Sequence, residues 1–190
     1  MKKIPTLFKR IYDNHKIIGI TQEITSGLDW VLNGEGEATL KYDGSCCAVI
    51  NGEYYKRYDA KKGKTPPAGA IPCGEPDPVT GHFPHWVKLD KSNPADKWFF
   101  KAFENAFEVI EPTDGTYEAI GKHFNGNPYN LSNDTVVKHG DSIIRDFPRT
   151  FDGMKRYMFT HYIEGVVFWK DGEPWCKIKR TDFGFKWNER

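Results

Sequence analysis

The stretch Glu164–Lys179, EGVVFWKDGEPWCKIK, holds two short runs that flank an Asp171-Gly172 pair. Asp-Gly between strand-like runs is a strong two-residue turn signal, because both central residues must take positive φ. With Asp171 and Gly172 at the turn, Lys170 is expected opposite Glu173, Phe168 opposite Trp175, Val166 opposite Lys177, and Glu164 opposite Lys179. Cross-strand partners project to one side of a sheet, so Glu164, Lys177 and Lys179 are expected on one face. The other face, Gly165, Val167 and Trp169 against Ile178, Cys176 and Pro174, reads as core. A carboxylate suits a hard cation such as Mg²⁺, and two lysines suit a triphosphate. The plainer reading is a cross-strand ion pair on a solvated face.

Working back along the chain, residues 36–58 read as another hairpin. Glu37, Thr39, Lys41 and Asp43 alternate with Ala38, Leu40 and Tyr42, the period of a half-buried strand. Asn51-Gly52 supplies a turn between Cys46–Ile50 and Glu53–Tyr58. Lys41 and Asp43 share a face, and Gly44 follows where backbone can approach a ligand closely. A lysine nucleophile must first lose its proton, which desolvation and nearby positive charge favour. Alone, Lys41-Tyr42-Asp43-Gly44 also fits a charged strand end and a turn.

Residues 1–34 read as an N-terminal arm, and 59–84, rich in Lys, Pro and Gly, as a long loop. Pro94–Val109 and Phe151–His161 read as helical, and Tyr117–Gly121 as a strand. Many short strands with few helices predict an α+β domain on antiparallel sheet, a single domain over 1–190 with its motif-bearing core at 35–187. The 190 residues suffice for a substantial core, and the formal net charge of +1 does not by itself mark a nucleic-acid binder. No apolar run is long enough to span a membrane, and the basic start lacks an apolar signal core. Four cysteines without a C-x-x-C pair read as reduced thiols, so the expectation is an intracellular, cytoplasmic protein without an obligate protein partner.

Taken in order, these segments resemble the covalent nucleotidyltransferases: DNA ligases, RNA ligases and mRNA capping enzymes. Lys41-Tyr42-Asp43-Gly44 matches the K-x-D-G of motif I, and Tyr117-Glu118-Ala119-Ile120-Gly121 the acidic strand of motif III. Glu164-Gly165-Val166-Val167-Phe168 matches motif IV, and Lys177-Ile178-Lys179 the K-x-K of motif V. GHFPHWV (Gly81–Val87), NGNPYNL (Asn125–Leu131), HGDSIIRDFP (His139–Pro148) and the segment Glu164–Gly184 look like the compact RNA ligase family that includes the animal 5′-phosphate/3′-hydroxyl RNA ligase. The resemblance covers roughly 36–187.

The resemblance implies an antiparallel adenylation domain and ATP-dependent sealing of RNA with 5′-phosphate and 3′-hydroxyl ends through lysyl-AMP on Lys41. It implies a nucleotide-binding set of Thr39, Lys41, Asp43, Gly44, Arg57, Glu118, Glu164, Lys177 and Lys179. Mg²⁺ or Mn²⁺ would lie at Glu118 and Glu164. Arg57 would meet the incoming 5′-phosphate, with adjacent Lys56 as a substitute. DNA ligases often carry Arg two residues after the motif I glycine; here that position is Cys46, which favours the RNA branch. About ten residues follow motif V, leaving no room for an OB-fold domain, so the Lys61–Lys64 loop is a candidate for orienting pyrophosphate. Cys73, His82 and His85 lack a fourth zinc ligand and read as loop packing. Phe124 or Phe147 is a candidate to stack on adenine, and each equally suits a core.

Overall fold

The computed structural model describes residues 3–14, 16–77, 80–108 and 111–188. The chain divides into two compact units, one formed by 43–139 with Lys3, the other by 4–42 with 140–188. It is a mixed α+β protein in which every paired strand within the sheets runs antiparallel.

The discontinuous unit contains the hairpin β1 (Phe8–Asp13) and β2 (Lys16–Ile24), a short helix α1 (Asp29–Leu32), and β3 (Glu37–Lys41). The stretch expected to be an arm is thus a hairpin and a helix over its described residues. It places Leu7, Phe8, Trp30 and Val31 in a core with Ala38, Met154, Met158, Val166, Phe168 and Ile178. Short alternation interrupted by charge hid those strands: irregularities in the β1–β2 pairing break the two-residue period.

In the same unit, β10 (Gly165–Lys170) lies between β3 and β11 (Glu173–Lys179) in a three-stranded sheet. β3 therefore pairs with β10, and the hairpin expected over 36–58 begins only after it. The Asp171-Gly172 turn forms with φ of 53° and 76°, as an Asp-Gly hairpin requires. The pairing predicted beyond it needs correction. Lys170 faces Glu173, but Trp169 faces Pro174 and Phe168 faces Cys176, so Trp175 is an extra residue. Pro174 has no N–H to give to the ladder, and the Trp175 indole instead donates to the Lys170 carbonyl at 3.2 Å. The slip turns Val166 and Phe168 inward against Ile178 and Cys176, in place of Val167 and Trp169. Helix α3 (Phe151–Thr160) packs on this core, capped by the Thr150 hydroxyl, which accepts the Gly153 N–H at 3.1 Å.

The other unit is built on a six-stranded sheet. Its members are β4 (Ser45–Ile50), β5 (Glu53–Ala60), β6 (Ile71–Pro72), β7 (Phe83–Lys88), β8 (Gly115–Ile120) and β9 (Thr135–Lys138). Their order is β6-β7-β5-β4-β8-β9. The Asn51-Gly52 turn joins β4 to β5, with φ of 52° and 74°. The long loop expected over 59–84 is shorter than predicted, because β5 runs to Ala60, β6 lies within it and β7 starts at Phe83. Helix α2 (Lys97–Ala106) follows a 3-10 turn at Pro94–Asp96; Val109, the end of the expected element, lies outside the described residues. Phe103 of this helix, with Cys47, Val49, Tyr117 and Ala119, forms a second core.

Candidate functional site

The corrected pairing aligns two rows across the three-stranded sheet. Gly165 is opposite both Lys41 and Lys179, and Val167 is opposite both Thr39 and Lys177. Both motif lysines of β11 therefore project from the sheet face that carries Lys41. The middle of the first row has no side chain. A Cβ on Gly165 would collide with the Ile178 carbonyl and come within 3.1 Å of the Lys179 Cα, so only glycine lets the strands pass here.

Glu164, one residue before β10, reaches onto this face. Its Oε2 accepts from Lys41 Nζ at 2.6 Å and its Oε1 lies 3.3 Å from Lys179 Nζ. The carboxylate is nearly buried, with 7% of its side chain exposed. Lys177 sits among Lys41, Lys179 and Arg10. Burial, and then those three cations, bring its ammonium down to about 8, with Glu164 opposing. Arg10 is a member that sequence reasoning missed. It lies on β1, 3.7 Å from Asp182, which also takes the Lys179 backbone N–H at 2.8 Å. With two carboxylates, Glu164 and Asp182, among four cations, the cluster is short of negative charge, which a phosphate chain could supply.

Thr39 is buried, and its hydroxyl accepts the Trp169 indole N–H at 2.9 Å. That contact fixes Trp169 and engages the Thr39 hydroxyl within the sheet. A surface hollow of about 340 Å³ lies by Glu35–Glu37 and the Asp171-Gly172 turn, at the opposite end of these strands from Lys41.

Asp43 and Gly44 belong to the other unit. A Cβ on Gly44 would collide with the Ala119 carbonyl, which explains the motif glycine sterically. Asn125 donates to Asp43 Oδ1 at 2.9 Å and to the Gly44 carbonyl at 2.7 Å, and the Tyr129 hydroxyl accepts the Asp43 N–H at 2.6 Å. The segment NGNPY, singled out by resemblance without a role, thus clamps Asp43 and Gly44.

Glu118 on β8 faces Cys46 on β4 and Val137 on β9. Its Oε1 accepts the Gly44 N–H at 3.0 Å and its Oε2 lies 3.0 Å from His139 Nε2. His139 was not singled out from the sequence; it opens the segment HGDSIIRDFP. The Cys46 thiol is pushed up to about 12, by burial first and then by Glu118. Cys47, on the opposite face, is fully buried, as alternation along a strand requires. Lys56 also lies on that opposite face, paired with buried Asp96, so it does not stand in for Arg57. Arg57 is braced by Asp59, with Nε 2.8 Å from Oδ1.

Glu118 and Glu164 have both oxygens engaged by protein donors. Neither set builds the oxygen cage a resident hard cation takes, so Mg²⁺ fits here only as the companion of a polyphosphate. Phe124 and Phe147 both lie in the cores, each 4% exposed. Cys73, His82 and His85 form no metal-ligand cluster among the described residues, and His85 Nδ1 is held at the Phe83 carbonyl.

No protein-family model matches the chain. RNA ligase 1 of Pongo abelii is 27% identical to it over 149 residues, covering 60% of this chain and 45% of that protein. The chain spans less than half the length of that relative, and the likeness is a distant one to an RNA ligase. No helix is long and apolar enough to cross a membrane among the described residues.

Proposed function

We propose that the chain is an ATP-dependent RNA ligase working through a lysyl-AMP intermediate on Lys41. The observation that carries this reading is the row of Lys41 and Lys179 across side-chain-free Gly165, bridged by Glu164 and flanked by Lys177. The partial likeness to an RNA ligase supports it independently.

In the first step Lys41 Nζ attacks the α-phosphorus of ATP, forming the N–P bond as pyrophosphate leaves. The ammonium must give up a proton first, and Glu164 Oε2, 2.6 Å away, is the proposed acceptor. Lys177 and Lys179 neutralise the charge that grows on the phosphate oxygens. A Mg²⁺ ion bound to the triphosphate would add to the charge neutralisation that Lys177 and Lys179 supply. In the second step a 5′-phosphate oxygen of RNA displaces Lys41 from the AMP phosphorus, leaving a 5′–5′ pyrophosphate. A 3′-hydroxyl then attacks the RNA 5′-phosphorus and AMP departs. Arg57 is the proposed contact for the incoming 5′-phosphate.

Intact-protein mass after incubation with ATP and Mg²⁺ tests the reading. A gain of roughly 329 Da, one AMP, in the wild type and none in Lys41→Ala is expected. No adduct in wild-type protein checked to be free of prior adenylation would overturn it in favour of a binding protein. Sealing of nicked DNA in preference to RNA ends, or use of GTP, would shift it to another nucleotidyltransferase.

A further inference from the structure

The six-stranded sheet carries a group of donors, two of which, Cys46 and His139, have no part in the ligase reading. The ligand atoms of Cys46, Glu118 and His139 all lie within 4.8 Å of one another. Around a tetrahedral Zn²⁺, with bonds near 2.0–2.3 Å, ligand atoms stand about 3.3–3.8 Å apart. The Glu118–His139 pair, at 3.0 Å, is already that close, and Cys46 needs a shift of about 1 Å at most, within the reach of a rotamer change. Cys46 and Glu118 are direct cross-strand partners on two central strands, so the backbone beneath them is fixed. The outer contacts are also in place. His139 Nδ1 lies 2.9 Å from the Thr116 hydroxyl, which orients the ring, and Glu118 Oε1 holds the Gly44 N–H.

We propose that Cys46, Glu118 and His139 bind one thiophilic divalent cation, Zn²⁺ or a metal of similar character, with a fourth position open. One sulfur, one imidazole nitrogen and one carboxylate oxygen match a borderline-soft ion and do not match Mg²⁺ or Ca²⁺. On binding, the metal–sulfur bond replaces the thiol S–H bond and the proton goes to solvent. Binding also takes Glu118 Oε2 from His139. If Glu118 also meets the nucleotide, as the family resemblance implies, an occupied site opposes adenylation; that consequence alone rests on the ligase reading.

Cobalt(II) titration of the full chain, followed by its thiolate-to-metal absorption, tests the site without any ligase assay. One Co²⁺ per chain is expected, displaced by Zn²⁺. The thiolate band is lost in Cys46→Ser and kept in Cys73→Ser. His139→Ala lowers affinity by at least the ~10–100-fold typical of losing even an outer-shell partner. Circular dichroism checks that all three variants fold, and Lys41→Ala is expected to bind cobalt like the wild type whether or not the protein adenylates. No thiolate band, or one that survives Cys46→Ser, overturns the proposal.

Discussion

Glu164 and Glu118 are alike in burial, with side chains 7% and 13% exposed, and each has both oxygens engaged. Their partners differ in charge. Glu164 is held by the ammonium groups of Lys41 and Lys179, with Lys177 and Arg10 close by. Glu118 is held by a backbone N–H and an imidazole, with a thiol beside it. The same side chain thus serves opposite ends. In the three-stranded sheet it is the anion that bridges Lys41 and Lys179 on a cationic face. In the six-stranded sheet it is a hydrogen-bond anchor for the motif I backbone.

Neutralising each carboxylate separates the two roles. Glu164→Gln is expected to slow lysyl-AMP formation on the order of 10²-fold, by removing the nearest proton acceptor for Lys41. It should also destabilise the fold by about 1–2 kcal/mol, less than a fully buried pair because the lysines reach water. Glu118→Gln keeps an acceptor for the Gly44 N–H and is expected to cost about tenfold in the same assay. Rapid-quench adduct kinetics and thermal melts compare the two, and a Glu118 effect as large as that of Glu164 would break the contrast.

Lys177 sharpens it. Its folded value, about 8, lies below the ordinary 10.5. Between those pH values the folded chain binds fewer protons than the unfolded one, so this residue's contribution to stability rises with pH. At pH 7 its charge is therefore a burden on the fold. Lys177→Met should raise the melting temperature at pH 7 by roughly 2–4 °C, a gain that fades toward pH 10.5, while weakening ATP binding. In the wild type, nucleotide affinity should fall as pH rises past about 8. A variant less stable at pH 7 would show that packing of the lysine stem outweighs its charge.

The smallest effects belong to the motif I clamp. Asn125→Ala and Tyr129→Phe each remove hydrogen bonds to Asp43 or Gly44 and should cost about 0.5–1.5 kcal/mol in denaturant melts. Adduct formation should slow several-fold with no change in its pH profile. An altered profile would assign these residues to proton handling.

The turns were legible because Asn-Gly and Asp-Gly carry their own backbone requirement; the helix read over Phe151–His161 is α3, and its Thr150 cap shows only in the structure. Features made by strand pairing were not. The Trp175 bulge depends on how Pro174 and a bulky indole settle beside the turn, so the sequence placed Val167 in the core where Val166 belongs. The partner of β3 is a strand far along the chain, whereas alternation reports only which face a residue takes. His139 carries no local sign of its place beside Glu118 and Cys46, since that neighbourhood is made by strand pairing. The convergence of Glu164, Lys177 and Lys179 was legible even with the wrong register, because Glu164 reaches in from outside the strand.

The pairing of β3 with β10 also bears on how the chain acquires its structure. Lys41 and Glu164 are separated by 123 positions, and nearly all of the continuous unit, 43–139, lies between them. While those residues are unfolded, joining the two strands means closing a long flexible loop, which is entropically costly and slow. Once 43–139 has collapsed on its own core, the span to be closed is much shorter. The strand carrying Lys41 is synthesised before β10 and must wait for it, so the lysine face is expected to form after the unit between them. A destabilising change in the inserted unit should then delay its appearance without touching any residue in it.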